Sequence, residues 1–153
     1  MKLTKNEANR AKVGKRIIIT IALLFLSIAG FFDAAYLTIL HYQNAIPPCA
    51  IAKGCETVLT SQFSTILAIP ISLIGSLYFL VLIFLILLIT QKEPKKFFAY
   101  FKLLAILGVI VSIVLIYIQA FILNAFCQYC LLSEAIIFAI FLLSFYPLSY
   151  YSK

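Results

Sequence analysis

The sequence predicts an all-α integral membrane protein, a bundle of four transmembrane helices with a short interfacial helix in one loop. Of its 153 residues, 65% are hydrophobic and only 11% are charged, and the mean hydropathy is +1.13. A soluble domain of this size keeps a charged exterior, so this composition is typical of a chain whose outer surface faces lipid. The length accommodates four spans of about 20 residues with short connections, which predicts a single membrane domain.

Basic residues lie almost entirely on one side of the predicted spans. Eleven of the twelve Lys and Arg residues fall in the N-terminal tail, in or just after the connector that follows the second span, and at the C-terminus. Lys53 alone falls in a loop on the other side. The positive-inside rule then predicts cytoplasmic termini and a multi-pass protein of the cell (plasma) membrane, with its active site on the outer face. The net charge of +7 therefore reflects topology, and we expect no nucleic-acid partner.

Hydrophobic runs set the bounds of the predicted elements. Four apolar stretches of spanning length predict the transmembrane helices, at residues 17–40, 66–89, 102–126 and 127–148. Pro70 is tolerated near the first turn of the second helix. Residues 56–63, in the loop after the first span, lack Pro and Gly and predict the short interfacial helix. Cytoplasmic tails at residues 1–16 and 149–153 complete the chain.

One cysteine pair, Cys127 and Cys130, forms a C-x-x-C motif at the start of the fourth predicted span. Positions i and i+3 share a helix face, so the two sulfurs can bond with little backbone movement. In a first helical turn they also lie near unpaired backbone N–H groups and the positive end of the helix dipole, which favour the reactive thiolate. The motif is typical of redox chemistry.

The other pair, Cys49 and Cys55, lies in the polar loop just after two prolines, with five residues between the two cysteines. Such a loop can close a disulfide and remain mobile enough to meet a protein substrate. The outer side of most cell membranes is oxidising, which suits disulfide chemistry. We therefore expect the loop pair to take electrons from a protein and the helix pair to pass them into the membrane.

Two alternatives without redox chemistry are open. The four cysteines would also suffice for two structural disulfides or for one tetrahedral zinc site. A structural bond has no need of a C-x-x-C at a helix start, and the sequence lacks the second C-x-x-C that zinc sites usually have. A redox relay is favoured over a structural or metal-binding four-helix protein.

Four motifs follow one another along residues 17–148. They are Asp33-Ala-Ala-Tyr36-Leu37-Thr38 with His41, then Cys49 and Gly54-Cys55-Glu-Thr-Val58-Leu59 with Ser61, then Ile69-Pro70 with Gly75, and finally Phe126-Cys127-Gln-Tyr129-Cys130-Leu131. In this order they resemble the vitamin K epoxide reductase family, in its bacterial and archaeal members that oxidise thiols with quinone. One position departs from the resemblance, since Ala68 stands where relatives usually have Gly.

The resemblance implies a four-helix bundle around a quinone of the ubiquinone or menaquinone type, capped by the loop helix. It implies that Cys130 faces the quinone, that Cys127 is its exchange partner, that Cys55 exchanges with Cys127, and that Cys49 meets the protein substrate. This chain ends soon after the fourth span, without the thioredoxin-like domain fused to some relatives. We therefore expect a separate thioredoxin-fold, DsbA-like partner.

The bacterial protein DsbB is the closest rival, because it too has four spans and two outer cysteine pairs. In DsbB the C-x-x-C lies in the first outer loop and the wider pair in the second, and here the order is reversed. The reversed order favours the vitamin K epoxide reductase family, although the overall chemistry would be the same.

A polar layer is predicted one to two helical turns beneath the cysteines. Each span places one polar side chain at this depth, and the set is Asp33, Ser72, Gln119 and Glu134. Glu134 lies four residues after Cys130 and shares its face. Burial favours the neutral form of both acids, so either can donate a hydrogen bond or a proton. We expect Asp33, Gln119 and Glu134 to bind the quinone head group, and the resemblance implies that Ser61, with Leu59 of the same loop, lies over it.

Overall fold

The computed structural model describes residues 5–49, 54–91 and 94–145, and within them it confirms the predicted all-α membrane bundle. The helices are α1 (Lys5–Tyr42), α2 (Cys55–Leu59), α3 (Ile71–Gln91), α4 (Pro94–Tyr117) and α5 (Gln128–Phe145). Four of these are long and apolar enough to cross a membrane, over Val13–Tyr42, Ile71–Thr90, Lys96–Ile122 and Gln128–Phe145. The helix α2 is the short loop helix.

The four long helices form a closed bundle. Helix α1 packs against α3 and α5, and α4 packs against the same two helices. Phe79, Phe101 and Ile140 are fully buried at the centre. Gly30 allows α1 and α3 to approach closely, because a side chain there would collide with the ring of Phe79. Large apolar side chains are exposed around the outside of the bundle, as expected where lipid is the solvent.

The bounds of the helices differ from the expected spans in several places. Helix α1 begins at Lys5, inside the expected tail, since the polar residues before the span continue its turns. The third span is expected to stay helical to residue 126, but it ends in a π-helical turn, Ile118–Ile122, and residues 123–127 are not helical. Helix α5 ends at Phe145 within the described residues. The expected span end at 148 and tail at 149–153 lie outside them.

A small hairpin precedes α3, where the sequence predicts helix from residue 66. Strand β1 (Thr65–Ile66) pairs antiparallel with β2 (Ile69–Pro70), and α3 begins only at Ile71. Pro70 therefore lies in β2, just before the helix rather than in its first turn. Both residues of the connecting turn have positive φ, 52° at Leu67 and 66° at Ala68. Two-residue hairpins favour this turn, and its left-handed backbone explains why Gly suits the position of Ala68.

The loop helix is shorter than residues 56–63. Helix α2 ends at Leu59, and a 3₁₀ turn follows at Gln62–Ser64. Ser61 interrupts the two with an extended backbone, and its hydroxyl donates to the carbonyl of Val58 at 2.7 Å. Helix α2, the 3₁₀ turn and the hairpin together form a cap at the cysteine end of the bundle.

Candidate redox site

The first cysteine of the C-x-x-C motif, Cys127, immediately precedes α5 and caps it. Its carbonyl accepts the backbone N–H of Leu131 at 2.9 Å, the bond that opens the helix. Its sulfur accepts the backbone N–H of Cys130 at 3.4 Å. The expected position in the first turn is thus corrected by one residue, because the chain becomes helical only at Gln128. As a cap, the sulfur itself accepts one of the unpaired N–H groups of the helix start.

The environment of Cys127 favours its thiolate. The pKa of Cys127 falls from 9.0 to about 7, chiefly because the side chain of Cys130 donates a hydrogen bond to its sulfur. Burial opposes the shift, the backbone N–H groups of Cys130 and Tyr129 support it, and the charge of Asp33 opposes it. Both thiols are free, with Cys127 fully buried and Cys130 partly buried. The pair is therefore a dithiol with one sulfur activated at neutral pH.

The second pair, Cys49 and Cys55, forms a disulfide across the loop. Cys55 opens α2 and is 1% exposed, whereas Cys49 is partly exposed. Gly54 lies against the chain that leads into Cys127, since a Cβ there would come within 2.7 Å of the backbone nitrogen of Phe126. The buried end of the loop disulfide therefore lies beside the segment that carries the helix pair.

A tyrosine bridge fastens the loop to α5. The hydroxyl of Tyr129 donates to the carbonyl of Pro48 at 3.3 Å, one residue before Cys49. The ring of Tyr129 also contacts that of Tyr36 on α1, with centroids 5.6 Å apart. Tyr129, inside the C-x-x-C motif, thus positions the loop pair of cysteines relative to the helix pair.

An apolar cavity of about 400 Å³ lies beneath the cap, between the long helices. Cys130, Gln119 and Glu134 of the bundle line this cavity, and Leu59 and Ser61 line it from the loop side. Asp33 is not among the residues that line it. Its carboxylate accepts the hydroxyl of Ser133 at 2.6 Å, so Asp33 reaches the cavity only through that serine.

The predicted polar layer is organised into three hydrogen-bonded pairs. The amide nitrogen of Gln119 donates to Oε1 of Glu134 at 3.1 Å, and Ser133 donates to Asp33. The hydroxyls of Thr38 and Ser72 share a hydrogen bond at 3.1 Å. Gln119 also accepts the backbone N–H of Cys127 at 3.0 Å through its oxygen. Oε2 of Glu134 is buried and has no partner.

The π-helical turn puts Gln119 in this position. It closes with a bond from the N–H of Leu123 to the carbonyl of Ile118 at 2.9 Å, and the N–H of Ala125 then bonds the carbonyl of Gln119 at 3.1 Å. Asn124 follows with a left-handed φ of 47°. The chain therefore turns back over Gln119 within eight residues. Such single π turns are frequent at functional sites.

Sequence reasoning missed three side chains of the site. Ser133 could have been predicted from its spacing, because it lies three residues after Cys130 and on the same helix face. Ser112 lies seven residues before Gln119, lines the cavity, and has a buried hydroxyl without a partner. Tyr78 lines the cavity and donates to the carbonyl of Leu104, a contact that spacing along the chain does not reveal. Among the described residues, no group of three His, Cys, Asp or Glu residues is placed to hold a metal ion.

The sequence comparisons cover this whole arrangement. Residues 21–145 match the family model described as "Vitamin K epoxide reductase family". The match includes both cysteine pairs, the cap and the polar layer. No curated protein matches the chain.

Proposed function

This chain belongs to the vitamin K epoxide reductase family, and we propose that it generates disulfides in other proteins by passing their electrons to a quinone. Family membership and four apolar helices make it a multi-pass membrane oxidoreductase of thiols and disulfides. One observation carries the proposal further. The Cys49–Cys55 disulfide, the Cys127 and Cys130 thiols and the apolar cavity lie one below the other at the same end of the bundle.

The first exchange uses the loop disulfide. A reduced thioredoxin-fold, DsbA-like protein attacks Cys49, since Cys55 is fully buried. The mixed disulfide resolves when the partner's second thiol displaces Cys49, so the partner leaves oxidised and the loop pair is reduced. Each exchange breaks one disulfide and forms another.

The second exchange carries the electrons inward. Cys55 attacks Cys127 of the Cys127–Cys130 disulfide, and Cys49 then closes the loop disulfide again. The helix pair is left as the dithiol. The proximity of Gly54 to Phe126 supports this route, because it sets Cys55 beside the approach to Cys127. A loop disulfide above a helix dithiol is the state that follows this step.

The residues under the cap fit a quinone head group. The cavity is lined mainly by apolar side chains, its volume is typical of small-molecule sites, and Glu134 offers it a buried oxygen without a protein partner. A ubiquinone-type or menaquinone-type quinone, when bound, accepts two electrons and two protons. We assign Cys130, Glu134, Leu59 and Ser61 to its immediate surroundings. Asp33 acts through Ser133 by fixing its hydroxyl.

The proposed orientation keeps both termini in the cytoplasm and the cysteines outside the plasma membrane. Arg10, Lys15 and Arg16 lie near the start of α1 and Lys96 near the start of α4, at the bundle end opposite to the cysteines. The positive-inside rule places that end in the cytoplasm. Labelling intact cells with a membrane-impermeant maleimide after mild reduction tests this orientation: labelling of Cys49 supports it, and labelling only after lysis contradicts it.

Catalytic turnover distinguishes the proposal from a structural or metal-binding protein. The purified protein is mixed with a reduced thioredoxin-fold protein and a quinone, and quinone absorbance is followed. We expect turnover in the wild type and none in Cys130→Ala. Cys49→Ala is the matched control, since it should fail with the protein donor yet still turn over with a small dithiol. Absence of turnover in the wild type with both donors would refute the proposal.

A further inference from the structure

We propose that Gln119 is a positioning residue that fixes the proton of Glu134 on Oε2, the carboxyl oxygen without a partner in the wall of the cavity. The cavity thus presents a directed O–H donor beside Cys130. The inference deepens the proposed function and rests on it for the identity of the acceptor, a quinone carbonyl. The placement of the proton itself follows from hydrogen-bond polarity within this chain.

The polarity begins at a group that can only donate. The backbone N–H of Cys127 points at Gln119, so the atom that meets it must be the amide oxygen. The amide NH₂ then faces Glu134, and NH₂ is also only a donor. Oε1 of Glu134 must therefore accept. In a neutral carboxyl one oxygen accepts and the other carries the proton, so the proton belongs on Oε2.

Burial makes the neutral carboxyl the relevant form. Gln119 and Glu134 are each 3% exposed and lie within the spanning helices. A carboxylate in such a place is costly unless a cation or several donors meet it, and the donor that meets Glu134 is one neutral amide. Oε2 is buried with no partner, and Glu134 lines the cavity. A ligand carbonyl would satisfy this donor.

Proton and electron balance follow from the same arrangement. When the Cys127–Cys130 dithiol becomes a disulfide, one S–S bond forms, two S–H bonds break, and two electrons and two protons leave the sulfurs. Glu134 gives the proton on Oε2 to a carbonyl oxygen of the acceptor and regains one from the thiols. Over one turnover the acid is unchanged, and a quinone carries away both electrons and both protons.

Gln119 also connects the acid to the cysteine cap. Its oxygen holds the backbone of Cys127 while its nitrogen orients Glu134, so one side chain positions the thiol and the proton donor relative to each other. In this proposal Gln119, which the sequence suggested as a direct quinone ligand, acts through Glu134, because its amide oxygen and one of its N–H groups already have protein partners.

Infrared difference spectroscopy tests the proton position directly, on the dithiol form of the whole protein in lipid nanodiscs. The carboxyl C=O band of Glu134 is identified by its loss in Glu134→Gln. We expect Gln119→Met, which has similar length and no amide, to shift or split this band before any quinone is added. We expect menadione or a short-chain ubiquinone to shift the wild-type band. Gln43→Met makes the same change at an exposed glutamine and should leave the band unchanged.

A double-mutant cycle on the rate of quinone reduction tests whether Gln119 acts through Glu134. General-acid loss in Glu134→Gln should slow the step by about 100-fold or more, and misplacement in Gln119→Met by about 10-fold, mainly in kcat. The double variant should be within about threefold of Glu134→Gln, because the two changes remove one function. Gln119→Glu, whose neutral carboxyl can both accept and donate, should recover most of the rate.

The outcomes separate this inference from the proposed function. A Glu134 band unaffected by Gln119→Met, or effects that multiply in the double variant, would overturn the role of Gln119. Failure of the wild-type dithiol to reduce either quinone would overturn the proposed function instead. The infrared comparison of quinone-free protein would still decide where the proton lies.

Discussion

The clearest quantitative expectation concerns the thiol of Cys127. Its pKa falls from 9.0 to about 7, and the largest cause is the hydrogen bond from the side chain of Cys130. A pKa of 7 makes about half of the sulfur thiolate at pH 7, whereas a pKa of 9 leaves about 1%. Because the shift is downward, thiolate is present above pH 7 and is lost as the pH falls below it.

Replacing Cys130 by Ala removes this largest cause. The backbone N–H groups of Cys130 and Tyr129 remain, but burial now opposes them without the side-chain bond. The pKa of Cys127 should therefore rise back towards its ordinary value of 9.0 or above it. The thiolate fraction at pH 7 should then fall by about 50-fold.

The assay is a spectrophotometric titration of thiolate absorbance between pH 5 and 9, with the loop pair oxidised and the helix pair reduced. Absorbance suits a fully buried sulfur, which bulky alkylating reagents do not reach. The wild type should gain one thiolate with a midpoint near 7, Cys130→Ala should titrate near or above 9, and Cys127→Ala is the blank. A wild-type midpoint near 9, or the same midpoint in Cys130→Ala, would refute the reasoning.

Three glycine and alanine substitutions test the packing around the site. Gly54→Ala places a Cβ about 2.7 Å from the backbone nitrogen of Phe126. Electron transfer from the loop pair to the helix pair, measured by stopped flow, should therefore slow at least 10-fold. Quinone reduction by the pre-reduced helix pair should be unchanged. Ala68→Gly relieves a left-handed backbone at φ 66° and should raise the free energy of unfolding by about 1 kcal/mol in a denaturant titration; no gain would contradict the strain. Gly108→Ala drives a Cβ into the hydroxyl of Tyr78, which lines the cavity, and should raise the KM for quinone with little change in partner exchange.

The lengths of the apolar stretches and the distribution of basic residues were sufficient to predict the bundle. Four apolar stretches and the side on which the basic residues lie leave few other architectures open, and both cysteine pairs fall at one end as expected. Counting residues from the span ends also predicted that Gln119 and Glu134 lie at the same depth, and the two side chains are hydrogen-bonded.

Local geometry could not be read in the same way. Residues 66–70 are apolar and fit helix or strand equally, so the hairpin before α3 was not foreseen. The π-helical turn at Ile118–Ile122 has no composition signal, yet it decides that the amide of Gln119 faces inward. The contact between Asp33 and Ser133 joins residues 100 positions apart, and only tertiary packing creates it.

The proposed cycle ends with electrons passing from the Cys127–Cys130 dithiol to a quinone, and an anaerobic single-turnover experiment measures that step alone. Protein whose loop cysteines are both replaced by Ala is reduced, freed of reductant and mixed with one equivalent of quinone, while quinone absorbance and free thiols are followed. We expect that one quinone is consumed for every two thiols lost, and that Cys130→Ala in the same background consumes none. Thiols that persist beside unreacted quinone, or quinone consumed equally by the Cys130→Ala protein, would contradict it.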